Sequence, residues 1–448
     1  MTTNDFLVQL DIPNVEITDV RINQDGAREI RVRSTQEGCA CHQCGQPATK
    51  PHGHDREICL KHLPILGRDT YIIIRLPRYQ CEACAKKPTT TQQVPWFVRR
   101  SPHTLAYERH VLLQLIGSTV EEVSEKEGIG YEAVMGIIRR HVQTEVEWDT
   151  IERLEQIGLD EISLKKGHKD FVVIVSARIG NEIKILAVLK DRKKETVKEF
   201  LSVIPKRLRK TIRSVCSDLY DGFINAAKEV FGKGVRIVVD RFHVAKLYRK
   251  GLDNLRKQEM KRLKEALSEE EYQELKGVMW VLRKNPKDLS EEGKALLAKL
   301  FNYSPALEIA YRLQNDLTNI FDMELSRSGG KRRIKNWMRR VEASGVSCYK
   351  KFLSTLDSYL EEIVNYFIHR DSSGFVEGFN NKIKVIKRRC YGILNVEHLF
   401  QRIFLDISGR NYFVSNQYVT DHGNYQGART PMMDDPCCPP RKCEARGG

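Results

Sequence analysis

Two short cysteine motifs constrain this chain before anything else does. Cys41-His42-Gln43-Cys44 and Cys81-Glu82-Ala83-Cys84 are C-x-x-C knuckles separated by strand-like sequence. Each offers two thiolates from one tight turn, and structural zinc takes four ligands at the corners of a tetrahedron. The pairs therefore predict one structural Zn2+ site pinning a β-rich N-terminal region. Unliganded buried thiols are the bland alternative. A redox pair fits less well, because two copies in a basic, β-rich segment do not look like a thioredoxin turn. Cys39, His52, His54 and Cys59 are near enough in sequence to compete as ligands, and we read them as bystanders. Cys216, Cys348 and Cys390 fall on apolar patterns and read as core residues. Free thiols of this kind belong in a reducing compartment. The opening Met1-Thr2-Thr3-Asn4-Asp5 lacks the basic flank and apolar stretch of a signal peptide. No run of about 18 apolar residues is present to cross a bilayer. The expected location is the cytoplasm, with no membrane partner.

Around the knuckles the pattern is extended. Val15 to Ile22 and Arg28 to Arg33 alternate apolar and polar residues about an Asp25-Gly26 turn signal, which predicts a hairpin. Tyr71-Ile72-Ile73-Ile74-Arg75-Leu76 leads into the second knuckle, and Pro88 and Pro95 punctuate the exit. From about 103 to 146 the period becomes helical. Ser118-Thr119 followed by Glu121 and Glu122 makes two overlapping capping boxes, and Gly128-Ile129-Gly130 breaks the helix. Tyr131 to Thr144 restarts it, with Val134, Ile137, Ile138 and Val142 on one side. Two helices about a Gly-containing turn, the second carrying Arg139 and Arg140, have the form of a DNA-reading helix-turn-helix. Tyr131, Glu132 and Met135 stand near the start of that second helix, where base edges are reached. A plain helical hairpin has the same pattern; the adjoining zinc motif and the charge of the chain favour DNA. Lys plus Arg number 74 against 59 Asp plus Glu, a formal +15. Such a surplus suits a polyanion, because Lys and Arg displace condensed counterions from phosphates.

A chain of 448 residues is too long for one core and predicts two to four domains. Between 155 and 240, short apolar runs alternate with helical ones. Candidate strands are Gln156 to Leu159, Phe171 to Ser176, Ile183 to Leu189, Ile212 to Cys216 and Val235 to Val239, which predicts a mixed α/β sheet. Residues 244 to about 370 are charged and helix-periodic, with helices around Leu252 to Lys276, Pro305 to Phe321 and Tyr349 to Ile368. Residues 373 to 408 form a basic helix pair, and the tail from 411, with Cys437, Cys438 and Cys443, reads as poorly ordered.

Three acids stand where strand ends or a helix would present them. Asp160 follows the strand ending at Leu159, and Asp218 follows the Ile212 to Cys216 strand. Glu377 lies on the helix from Phe375 to Arg389, where Phe375, Phe379, Ile383 and Ile386 make the buried stripe and Glu377, Asn381, Lys384 and Arg388 share another face. Two magnesium ions about 3.5–4 Å apart need acids of this kind to bridge and flank them. Each acid alone has a plainer role as cap or solvated charge; the set is what points to metal. Asp240-Arg241-Phe242-His243 adds a polar cluster after the next strand, readable either as a helix cap with a packed His or as part of the site. Trp280 and Trp337 sit in basic surroundings, where a flat ring can stack on an unpaired base or simply fill a core.

Ile157-Gly158-Leu159-Asp160-Glu161, Ser217-Asp218-Leu219-Tyr220, Asp240-Arg241-Phe242-His243-Val244 and Gly378-Phe379-Asn380-Asn381-Lys382-Ile383-Lys384 resemble the successive signatures of the ISL3 family of bacterial insertion-sequence transposases. Gly374-Phe375-Val376-Glu377 and Arg389-Cys390-Tyr391-Gly392 extend the last, and the likeness runs from about Cys41 to about Leu405. It implies an α/β RNase H-like catalytic core with a large α-helical insertion, preceded by a zinc β-ribbon and a helix-turn-helix. In this chain that means a zinc ribbon over 1–96, a helix-turn-helix over 97–146, and a catalytic domain over 147–410 interrupted by an insertion at 244–372. It also implies an Asp-Asp-Glu triad, which falls on Asp160, Asp218 and Glu377, and an Asp-x-x-His element on Asp240 and His243. The triad would hold two Mg2+ ions, with Mn2+ as substitute. The partners so implied are double-stranded DNA (terminal inverted repeats and target) and a second copy of the chain, in the nucleoid. A structure-specific nuclease with the same core and a silent DNA-binding regulator remain the alternatives. Cys39, an extra cysteine before the first knuckle, and the cysteine-containing tail depart from the family pattern.

Overall fold

The computed structural model describes residue 10 and residues 12–164, 171–180, 182–370, 374–390 and 392–415. Two compact units emerge, one from the residues up to Gln143 together with those from Ile403, the other from Thr144 to Arg402.

The first unit opens with the expected hairpin, β1 (Val15–Ile22) and β2 (Arg28–Ser34), closed by the Asn23 carboxamide oxygen accepting from the backbone N–H of Asp25 and Ala27. A small hairpin, β3 (Cys39–Ala40) and β4 (Pro47–Ala48), carries the first knuckle in its turn. Two long arms follow, β5 (Lys50–Ile65) and β6 (Arg68–Gln80), then β7 (Thr89–Thr91). The sheet runs β1-β2-β6-β5, with β7 on β6. Ile30, Val32, Leu60, Ile72, Ile74 and Trp96 form its core. Three helices come next: α1 (Leu105–Leu115), α2 (Val120–Glu127) and α3 (Tyr131–His141). Of the two possible capping boxes, Thr119 with Glu122 forms, and Gly128 ends α2 in the left-handed conformation that glycine adopts most cheaply.

The second unit is built on a five-stranded sheet: β8 (Gln156–Ser163), β9 (Phe171–Ile179), β10 (Glu182–Leu189), β11 (Ser214–Ser217) and β12 (Arg236–Val239). The order is β10-β9-β8-β11-β12, antiparallel among the first three strands and parallel from β8 onward. This 3-2-1-4-5 arrangement is the mixed sheet expected of an RNase H-like core. Helices α4 (Lys194–Val203) and α5 (Lys206–Arg209) precede β11, and α6 (Asp221–Phe231) links β11 to β12, burying Phe223, Ile224, Ala226 and Ala227.

The insertion does not leave the sheet through a loop. Asp240 caps α7 (Arg241–Ala266), which runs on without a break into the helical module. Ser268 then starts a new capping box for α8 (Glu269–Gln273), so the stretch expected around Leu252 to Lys276 is two helices. After these come α9 (Val278–Arg283), α10 (Glu291–Tyr303), α11 (Pro305–Asp322) and α12 (Arg327–Ala343). The stretch Tyr349 to Ile368 is also not one helix but α13 (Lys350–Ser358), α14 (Leu360–Val364) and α15 (Tyr366–His369). Asn365, at the last break, donates from Nδ2 to the Ile237 carbonyl of β12 (2.9 Å), tying the module to the sheet. The basic pair is α16 (Gly374–Arg389) and α17 (Val396–Phe404). The end of the chain, expected to be irregular from 411, is helical through α18 (Arg410–Ser415), because Phe413 buries itself with Leu405 among the side chains of α1 and α3. Residues 416–448, with the tail cysteines, lie outside the described residues.

Candidate functional site

The register of the catalytic sheet places three acids in one row. Ser217 of β11 pairs with Leu159 of β8 on one side and with Val239 of β12 on the other. The next residue of each segment is acidic: Asp160, Asp218 and Asp240. Neighbouring strands are about 4.8 Å apart, so the row gathers three carboxyls. Asp218 and Asp240 stand at the carboxyl ends of β11 and β12, where open α/β sheets bind ligands. Asp160 does not end its strand as expected: β8 continues past it to Ser163, because Asp160 to Ser163 go on pairing with β9.

The three then divide their work. Asp240 is 2% exposed; its Oδ1 accepts from the Phe242 N–H (2.9 Å) as the α7 cap, while Oδ2 lies 3.5 Å from His243 Nδ1. The same nitrogen lies 2.7 Å from Asp218 Oδ1, an ion pair without the angle of an aligned hydrogen bond. Asp218 and Asp240 together push the His243 imidazole up to about 10, which makes it a cation at neutral pH. One Asp240 oxygen therefore caps α7, as the plainer reading expects, and the other lies beside His243. Asp160 accepts from the Glu161 N–H (2.7 Å), and its carboxyl is pushed up to about 7, first by burial and then by the charge of Asp218. Half-buried oxygen donors that repel one another fit a hard divalent cation, which takes carboxylate oxygens and removes the repulsion.

Helix α16 packs beside β8. Lys384 is near enough to lower Asp160, and Lys387 donates from Nζ to the Ser163 carbonyl. Ile383 and Ile386 are buried as the helical period requires, while Asn381, Lys384 and Arg388 are exposed on the other face. Glu377 stands on the same helix seven residues, about two turns, before Lys384; its side chain lies outside the described ones. Arg192 was not foreseen. It pairs with Glu161 (2.9 Å) and lies over the rings of Phe171 (4.8 Å) and Tyr220 (5.1 Å), joining the segments that carry Asp160 and Asp218. Its sequence surroundings, Asp191-Arg192-Lys193-Lys194, look like a solvated charge run.

In the first unit the two knuckles meet. Sulfurs of Cys41, Cys44, Cys81 and Cys84 all lie within 4.8 Å of one another, with Cys41–Cys84 at 4.0 Å and Cys44–Cys81 at 3.6 Å. A tetrahedron with Zn–S near 2.3 Å has sulfur edges of about 3.8 Å, so the cage fits zinc. Backbone N–H groups of Cys44 and Gln43 lower the Cys41 thiol to about 6, the direction a thiolate ligand needs. Cys39 stays outside the group, its thiol directed to the Thr90 carbonyl at 3.7 Å. Among the described residues no other cluster of three or more His, Cys, Asp or Glu has this geometry.

The exposed edge of α3 differs from the expected one. Tyr131 and Arg139 are exposed, Arg139 within 3.9 Å of Glu132. Met135 is 3% exposed and packs with Val134, Ile137 and Ile138, so it cannot reach a base edge. Arg140 is exposed too, but its guanidinium is engaged: with His141 (2.6 Å) and Ser101 (2.6 Å) it holds the fully buried carboxylate of Glu108. For Trp337 the structure selects one of the two readings left open. It is 1% exposed, donates from Nε1 to the Leu313 carbonyl (2.7 Å), and packs on Tyr349 and Phe352. Core filling therefore prevails over base stacking. Trp280, in contrast, is 63% exposed. No helix among the described residues is long and apolar enough to cross a membrane.

Comparison with known proteins agrees in three successive segments. Residues 37–84 match the zinc-finger of transposase IS204/IS1001/IS1096/IS1165, and residues 92–142 match the helix-turn-helix domain of transposase family ISL3. Residues 157–403, more than half the chain, match the ISL3 transposase domain of the DDE type. The chain is 27% identical over 379 residues to the transposase for insertion sequence element IS1001 of Bordetella parapertussis, covering 84% of this chain and 90% of that one. It is 24% identical over 408 residues to the transposase for IS1557 of Mycobacterium tuberculosis, covering 86% and 90%. A solved Drosophila P element transposase strand transfer complex is 14% identical at a TM-score of 0.36, spanning 68% of this chain and 91% of that one, too distant to bear on the site. With a zinc ribbon, a helix-turn-helix and an acid-rimmed catalytic sheet in that order, this chain belongs to the ISL3 family of transposases.

Proposed function

We propose that this transposase binds the terminal inverted repeats of its own insertion sequence, cuts DNA at their ends and joins the freed strand to target DNA. The observation that carries the reading is the acid row, in which burial and Asp218 push Asp160 up to about 7. Asp160, Asp218 and Glu377 would hold two Mg2+ ions, or Mn2+ in their stead. When bound, the ions supply charge neutralisation and Lewis acidity for in-line displacement at phosphorus.

The chain's own residues bind and orient. Asp160 within β8 and Asp218 at the end of β11 are fixed more rigidly than a loop would fix them. His243 holds one oxygen of Asp218, and Asp240 holds His243 by capping the helix that carries it. Asn381, Lys384 and Arg388 grip the DNA backbone beside the carboxylates, and Tyr131 and Arg139 read the repeat. An element has two ends, so a homodimer is the assembly that brings both to reaction.

Replacing Asp160 by Asn keeps the size and removes a charge. Cleavage and joining in magnesium should fall at least about a thousandfold, since charge neutralisation at such a site supplies several kcal/mol. Repeat binding, measured by gel shift in calcium, should persist or tighten slightly. Wild-type rates in this variant would remove the triad. Cut ends without joined products from the native protein would indicate a nuclease, and no cleavage in either magnesium or manganese would indicate a regulator.

A further inference from the structure

Helix α7 begins at the acid row and runs 26 residues away from it, about 39 Å. Val244, Tyr248, Leu252 and Leu263 bury one side. Lys246, Lys250, Lys257, Lys261 and Lys264 are all exposed on the other. At about 100° per residue these five lysines fall within roughly 60° of the helix circumference, and the stripe is about 27 Å long. Asp253 is the one acid on that face of α7. It is shared by Lys257 (3.1 Å), Arg256 (3.0 Å) and Arg283 of α9 (3.5 Å), so even there cations are in excess. Lys246, Lys250, Lys261 and Lys264 have no acid at ion-pair distance among the described residues.

The Arg283 guanidinium also lies 5.9 Å from the ring centroid of Trp280, which is 63% exposed. An indole left in water beside a lysine stripe is placed to take a flat ligand. Bases offer a π-face to any such ring, whatever their sequence. Asp253, which marks the level of Arg283 and Trp280, is ten residues beyond His243, about 15 Å along the helix. At about 3.4 Å per nucleotide that is four to five nucleotides.

We propose that the lysine face of α7, with Trp280 at its side, is a DNA track leading away from the carboxylates, on which Trp280 stacks an unpaired base about four to five nucleotides from the reacting phosphate. The track uses none of the residues proposed above to read the repeat. Its position relative to the cut rests on the strand-transfer reading; its affinity for DNA does not.

The test uses the full chain and a random-sequence duplex, fully paired or with one frayed end, in fluorescence anisotropy across a salt series. The triple variant Lys250→Gln, Lys261→Gln, Lys264→Gln should reduce the salt slope by about 2 to 3, near 0.9 per lost phosphate contact. The corresponding Lys→Arg variant should keep it, which separates charge from folding. Trp280→Ala should weaken binding to the frayed duplex about tenfold and to the paired duplex hardly at all. An unchanged slope in the triple variant overturns the track, and equal loss on both duplexes in Trp280→Ala overturns the stacking. Native protein that shows the expected slopes and never cuts DNA would sink the enzymatic reading while leaving the track; an active enzyme whose triple variant keeps its slope would do the opposite.

Discussion

Glu108 and Asp160 are both carboxylates taken out of water, and they end at opposite extremes. Burial is the largest influence on each and raises both. Around Glu108 the helix-turn-helix supplies hydrogen bonds from His141, Arg140 and Ser101, which more than offset burial and hold it at about 2. Around Asp160 the nearest strong charge is another carboxylate, so it rises to about 7. The first cluster is closed by the protein's own hydrogen-bond donors, Arg140 among them, and holds helices together. The second has acid in surplus, which is what the metal site proposed above requires. The cysteines side with Asp160. Cys84 is pushed up to about 12 by the neighbouring sulfur of Cys44 and by burial, while Cys41 goes down to about 6, because four thiols so close cannot all ionise together.

The largest effect should come from the cysteine cage. Binding energy of structural zinc is largely folding energy, of order 10 kcal/mol in small zinc modules. Purified protein should carry one zinc per chain, and Cys81→Ser should lose it together with the cooperative melting of the ribbon. Full zinc content in that variant would move the cysteines to the closed class and assign a different ligand set.

Next in size is Glu108→Gln. The substitution removes the charge that Arg140 and His141 share and leaves them facing a neutral amide in a buried site. Breaking a buried pair of this kind costs about 3–5 kcal/mol. Thermal unfolding followed by circular dichroism should show the loss, and unaltered melting would mean the cluster is not what closes these helices.

Acid should then expose the same unit. Burial lowers His62 and His103 to about 4 from 6.5. Unfolded imidazoles take up protons first, so their contribution is complete above 6.5 and is lost as pH falls toward 4, about 2–3 kcal/mol for each. Glu108 adds its own loss between 4.5 and about 2, where the unfolded carboxyl is protonated and the folded one is not. The melting temperature should therefore drop from pH 7 to pH 5, and a His62→Gln, His103→Gln double variant should flatten that drop. Asp160 contributes with the opposite sign in metal-free protein: its folded carboxyl binds a proton below about 7, so acid relieves it.

Much of this was legible in the sequence. The strands of the catalytic sheet, the four cysteines and the acids that follow β11 and β12 come from apolar runs and spacing, which are local signals. That β8 runs past Asp160 to Ser163 depends on its pairing with β9, which is not local. Strand β5 did not show itself, because Lys50-Pro51-His52-Gly53-His54 is polar, holds Pro and Gly, and enters its ladder through register shifts. The pairing of Arg140 depends on Glu108, 32 residues away, and the placing of Arg192 depends on rings from two other segments. Charged residues whose partners are distant in the chain look solvated until the fold brings the partners up. Met135 is different. It lies three residues before Ile138, on the arc next to the buried stripe of α3, and the helical period already argued for packing.

Arg139 and Arg140 give the finest test, since they are adjacent and differ in their partners, Glu132 for one and the buried Glu108 for the other. Arg140 faces the buried Glu108, so Arg140→Ala should lower the melting temperature and weaken DNA binding only as far as folding fails. Arg139 is exposed, with Glu132 3.9 Å away as its one ion-pair partner among the described residues. A pair at that distance on a helix surface is worth a few tenths of a kcal/mol, so Arg139→Ala should leave melting unchanged. If Arg139 reads a base in the terminal repeat, its loss costs about 1–3 kcal/mol, a ten- to hundredfold weaker complex, and narrows the gap between repeat and random DNA. Gel shifts on both duplexes at one salt concentration separate the cases. Equal weakening on repeat and random DNA would make Arg139 a backbone contact, and weakening by Arg140→Ala at unchanged melting temperature would mean that Arg140 leaves Glu108 to meet DNA.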